Sequence, residues 1–70
     1  MTLNITHSKW ATPEHFEALG FDDAQPNMVL RFDFAPTSGW QEWRHGGWLP
    51  LQLYEVPTLV MVRYRDAKAR

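Results

Sequence analysis

From Met28 the chain alternates strictly: Met28, Leu30, Phe32 and Phe34 fall on one side of an extended backbone, with Val29, Arg31 and Asp33 between them. A period of two is the signature of a half-buried strand. Leu3-Asn4-Ile5-Thr6 alternates in the same way and predicts a short first strand. Between them, Thr12 before Pro13 has the form of an N-cap followed by proline at the first helical position, and Gly20 can supply a left-handed stop. These signals predict a two-turn helix over Pro13 to Leu19. Phe16, Leu19 and Phe21 would then face the core, and Glu14, Glu17, Asp22 and Asp23 the solvent.

Ala35-Pro36-Thr37-Ser38-Gly39 predicts a turn. Trp40 to Arg44 and Trp48 to Tyr54 flank His45-Gly46-Gly47, which predicts a hairpin closed by either a two-residue Gly-Gly loop or a three-residue loop with a glycine bulge. Thr58 to Tyr64, rich in β-branched residues after Pro57, predicts a central strand, and Lys68 to Arg70 a fraying end. The expected fold is α+β and a single domain over residues 1–70: a small, mostly antiparallel sheet of four to five strands, with one short helix after the first strand packed on one face. An all-β fold with a single helical turn is the structural alternative.

Composition adds a constraint. With 44% hydrophobic and 21% charged residues the 70-residue chain should fold, yet a chain this short buries only about 60% of its surface. The hydrophobic gain and the conformational cost then nearly cancel. There is no Cys to add a disulfide or thiolate metal site, so packing, a homodimer or a bound partner must supply the margin. No signal segment or apolar run of membrane-spanning length is present, and the absence of Cys fits a cytoplasmic protein. The net charge of −1 is segregated: residues 1–30 hold one basic and four acidic groups, residues 31–70 six basic and four acidic. Such a distribution orients a molecule in a partner's field.

The chemistry-bearing residues point away from catalysis. His7, His15 and His45 show no His-x-His, His-x-x-x-His or Glu-x-x-His spacing, so no metal is expected. Ser8 and Ser38 lack a nucleophile elbow, and the carboxylates have no cleft to drive their pKa values apart. Gly46-Gly47 alone is no phosphate loop. The expectation is a non-enzymatic protein without cofactor.

Two constellations could bind a partner. Trp40, Trp43 and Trp48 lie within nine positions beside Arg44 and His45, and Trp and Arg are the side chains most enriched at interface hot spots. In the shorter-loop register, Trp43, His45, Trp48 and Pro50 share one sheet face, and Trp40, Glu42, Arg44 and Leu49 the other. A domain short of core volume ordinarily buries its tryptophans, which is the expectation for Trp40 and Trp43, with Trp48 the more exposed. The second constellation is an acidic end, Glu14, Glu17, Asp22 and Asp23, suited to a cationic groove on another protein. Gly47-Trp48-Leu49-Pro50 followed by Tyr54-Glu55-Val56 resembles the Gly-Trp-Phe-Pro segment of SH3 domains. The acidic-aromatic opening motif of that family is absent and the tryptophans precede the segment at the wrong distance, so the chain is not placed there.

The expected function is a small protein-binding domain using Trp43, Arg44, Trp48 and the four acidic residues. By analogy with short freestanding phage and mobile-element products, anti-CRISPR inhibitors included, it would be an accessory inhibitor or regulator that covers a surface of a larger complex, possible as a homodimer and without membrane contact. The alternative is a single-strand nucleic-acid binder stacking bases on Trp48 and holding phosphates with Arg44, Arg63 and Arg65, the last two adjacent on one face of the predicted final strand.

Overall fold

Alternation with period two governs the chain from Leu3 to Pro50, where the computed structural model, which describes residues 2–44 and 46–69, has five strands. They are β1 (Leu3–Thr12), β2 (His15–Asp22), β3 (Gln25–Ala35), β4 (Gly39–Arg44) and β5 (Gly47–Pro50), followed by a 3-10 turn (Leu53–Glu55) and the helix α1 (Thr58–Lys68). Each strand pairs antiparallel with its neighbour in sequence, giving an open meander in the order β1-β2-β3-β4-β5. The α+β class and the meander agree with the sequence reading, but the helix lies at the other end of the chain.

The segment Pro13 to Leu19 is turn and strand. Thr12 Oγ1 does accept a hydrogen bond from the Glu14 N–H at 3.2 Å, as an N-cap would, but it closes the two-residue turn between β1 and β2. Phe16, Ala18 and Gly20 then alternate inward while His15, Glu17 and Leu19 point to the other face, so Leu19 is turned away from the buried row. Gly20 is needed for its lack of a side chain: a Cβ there would sit 2.1 Å from the backbone oxygen of Asn4 on β1. The opposite correction applies to Thr58 to Tyr64, which is helical. Its inward residues Val60, Met61, Tyr64 and Ala67 follow the helical spacing of three and four, and tertiary packing overrides the strand preference of its valines. Trp48 to Tyr54 is likewise divided, since β5 ends at Pro50.

The core is built on a cross-strand aromatic row. Trp10, Phe16, Phe34 and Trp40 stand opposite one another on β1, β2, β3 and β4. Tyr64 of α1 contacts all four rings, with centroid separations of 5.7 Å to Trp10 and 5.3 Å to each of Phe16, Phe34 and Trp40. Most of these contacts are edge-to-face, the arrangement favoured by ring quadrupoles. Phe16 within this row is fully buried, and Ala18, Phe32, Val56 and Val60 complete the buried cluster.

β4 closes on β5 with Arg44 opposite Gly47 and Trp43 opposite Trp48. The loop is therefore one position earlier than a Gly-Gly loop, with Gly46 at φ +79°. The division of faces is the one expected for the shorter loop: Trp43, Trp48 and Pro50 on one side, Trp40, Glu42, Arg44 and Leu49 on the other. The expected place of His45 on the first face, and of Arg70 in a fraying end, lie outside the described residues.

Replacing Tyr64 with Ala should remove about 3–5 kcal/mol, a third or more of the roughly 3.5–10 kcal/mol available to 70 residues. Near-ultraviolet circular dichroism at 25 °C should show loss of the aromatic signal for Tyr64→Ala and its retention for Tyr64→Phe, which keeps the ring.

Candidate binding surface on the open sheet face

The helix covers one face of the sheet, and the residues that alternate with the core row form the other. Two cross-strand rows run over it: Lys9, Glu17, Asp33, Gln41 and Pro50, then His7, Leu19, Arg31, Trp43 and Trp48. Arg31 stands at the centre. Its Nη2 donates to Glu17 Oε2 at 3.1 Å and to Asp33 Oδ2 at 3.3 Å, and its Nε donates to Asp33 Oδ1 at 3.1 Å. Asp33 is buried, at 7% exposure, and also holds His15 Nε2 at 2.5 Å. Lys9 lies 3.9 Å from Glu17 at the margin.

Hydrogen bonding to Asp33, with the charges of Asp33 and Glu17, holds the Arg31 pKa above its ordinary value against the opposing effect of partial burial. A raised cationic pKa stabilises the fold below the ordinary arginine value and loses that effect only as pH rises through the higher folded value. Arg31 therefore contributes no slope to stability across neutral pH.

The carboxylates fix the plane of the guanidinium, which lies over the Trp48 ring at 5.2 Å from its centroid. Trp48 in turn meets Trp43 edge-to-face at 5.2 Å and 74°. Trp43 is 41% exposed and Trp48 half-buried under Arg31, so of the two tryptophans expected in the core only Trp40 is there, and Trp43 rather than Trp48 is the more exposed of the pair. An ion network thus presets a cation and two indoles on an uncovered face.

The end of the sheet beside this pair is irregular. Gly20 pairs with Leu30 and Asp22 with Gln25, which sets the four residues Pro26–Val29 of β3 against Phe21 alone on β2. β4 begins its pairing with β3 only at Arg31. Pro26–Val29 bows out of the ladder on both sides, leaving Met28 49% and Val29 67% exposed next to Trp43. Extended bulges of this kind re-aim side chains, and exposed apolar residues grouped with tryptophan mark interaction surfaces.

The structure brings Trp43 and Trp48 together and disperses the rest of the expected site. Arg44 lies on the opposite strand face, bonded through Nε to Glu42 Oε1 at 3.0 Å. The acidic end does not exist as a patch: Glu14 is in the β1–β2 turn, Asp22 and Asp23 at the far end of β2 roughly 26 Å along extended chain, and Glu17 is consumed by Arg31 and Lys9. Asp22 accepts from the Ala24 N–H and Asp23 from the Asn4 amide. Arg63 and Arg65 are on α1, two residues apart and so about 200° apart around its axis, on the side of the sheet away from Trp48. Arg44, Trp48, Arg63 and Arg65 form no common track.

Sequence reasoning missed the cluster of His15, Glu17 and Asp33, whose ligand-type atoms all lie within 4.8 Å. The signal was the strand spacing of His15 and Glu17, obscured by the predicted helix. The positive charges facing these carboxylates are Arg31 and, at Glu17, Lys9. No helix among the described residues is long and apolar enough to cross a membrane. Compared with protein-family models, curated proteins and solved structures, the chain matches none.

Arg31→Met should strand Asp33 with His15 alone and cost about 2 kcal/mol, below the usual value for a broken buried pair because Arg31 is partly solvated. Urea denaturation should show this loss, and Asp33→Asn added to Arg31→Met should recover part of it.

Proposed function

We propose that this chain is a non-enzymatic binding domain that docks on another protein through the open sheet face and its bowed end. Trp43 and Trp48 form the centre, Arg31 the preset cation, and Met28 and Val29 the apolar margin. The observation that carries this reading is the edge-to-face pair of exposed Trp43 and half-buried Trp48 on the face that α1 leaves uncovered. Trp, Arg and Met are enriched in interface centres because they desolvate large areas while Trp and Arg retain polar groups. Arg31 is already immobilised by Asp33 and Glu17, so docking orders few additional side-chain torsions. Covering a surface of a larger assembly is the mode of action that such a domain suits.

The test is affinity capture from host lysate with nuclease present, read by quantitative mass spectrometry for the wild type, Trp43→Ala, Trp48→Ala and the turn control Thr37→Ala. A stoichiometric protein retained by the wild type and the control, and reduced about tenfold or more by either Trp variant, is expected, as for hot-spot truncation. Capture unchanged by both Trp variants, or dependent on nucleic acid, overturns the proposal.

A further inference from the structure

The bowed end of β3 also borders a cleft of about 840 Å³ that runs round the end of the sheet, from Val29 and Trp43 to Glu55 and Pro57 on the segment that leads into α1. Its apolar lining includes Leu3, Met28, Leu30 and Phe32, and Trp43 of the open-face pair also borders it. Its charged lining is Asp22, Glu42 and Glu55 against the single cation Arg44, a formal net of −2. Arg44 is spent on Glu42, and Glu55 accepts from the Gln52 N–H at 2.8 Å, which leaves carboxylate oxygens of Asp22, Glu42 and Glu55 without a cationic partner of their own beyond Arg44.

Along one side of this cleft runs Pro26–Val29, which has no ladder partner on either edge. Unpaired backbone groups at an exposed strand are a template for an extended segment, since main-chain hydrogen bonds supply affinity and flanking pockets select side chains. The sheet's other edges are less suited to this. β5 is only four residues long and ends in Pro50, and β1 is interrupted by irregularities near Thr6 and Ala11.

Resting on the protein-binding reading above, we infer that the cleft takes an extended segment of the partner protein with the pattern basic–x–apolar–x–basic, hydrogen-bonded along Asn27–Val29. Alternate residues of an extended segment face the same way. The central apolar side chain therefore enters against Met28, Leu30 and Phe32 while the two basic side chains meet the carboxylates at either side. Complementary charge sets the register and excludes acidic segments, because like charges in a partly apolar cleft are costly.

The probe is the capped peptide Thr-Lys-Thr-Leu-Thr-Lys-Thr, compared with versions carrying Glu for Lys or Ser for Leu, titrated into the 15N-labelled full chain. Saturable shifts of the Met28, Leu30, Glu42 and Arg44 amides are expected, with slowed hydrogen exchange at Asn27–Val29. Affinity should fall at least about tenfold for each altered peptide and for Glu42→Gln. Glu55→Gln, which keeps the oxygen that bonds Gln52, should weaken binding while preserving the fold. Equal binding of the Glu peptide, no saturable shift, or shifts confined to Leu19, Gln41 and Trp48, none of which lines the cleft, overturn the inference. The last of these leaves the open-face reading standing. Concentration-dependent shifts of the cleft amides without peptide overturn it in favour of a second copy of the chain as occupant. Thr37→Ala, in the β3–β4 turn and outside the cleft lining, should leave peptide affinity unchanged.

Discussion

One side chain holds the layers of this protein together. Tyr64 of α1 lies across a row of four rings supplied by four successive strands, and the helix has few other large residues with which to grip the sheet. A chain of 70 residues cannot build a deep core, so its stability depends on burying a few large aromatic faces rather than many aliphatic ones. Everything on the opposite face inherits its position from this row. Arg31 and Asp33 flank Phe32 in sequence, and Trp43 follows three residues after Trp40. The pleat that buries the core aromatics therefore aims the ion network and the Trp pair outward.

The two faces are stabilised by different physics. The helix side is non-directional burial around Phe16, whereas the open side depends on oriented charge: two carboxylates set one guanidinium, which stacks on one indole, which abuts another. That chain of contacts gives an exposed surface a defined shape without a covering layer. It also explains how an arginine can be central to a surface while contributing only modestly to the net charge around it, since Glu17 and Asp33 balance Arg31 and Lys9.

The strands from Met28 onward and the division of the Trp40–Pro50 faces were legible because alternation and turn residues agreed there. The first hairpin was not, because Glu14, Glu17, Ala18 and Leu19 are good helix formers and Thr12-Pro13 caps a turn with the same hydrogen bond that begins a helix. Gly20 misled for a related reason: a glycine required by close approach of two backbones carries the same letter as one required by positive φ. The final helix was hidden by its valines, whose strand preference is small beside the gain from seating Tyr64. Of the candidate site, Trp43 and Trp48 were visible in composition and spacing. The roles of Arg31, Met28 and Val29 depend on pairing between strands and on how far β3 overhangs β4, which no local pattern encodes.

The order of the elements has a consequence for how the molecule is made. Synthesis runs from β1 toward α1, so the aromatic row is complete before the residue that covers it has been added. Without α1, a sheet with Trp10, Phe16, Phe34 and Trp40 on one face would present an uncovered aromatic surface open to association with other chains. Docking of the helix removes that surface, which makes the Tyr64 contact the one that protects the meander from association.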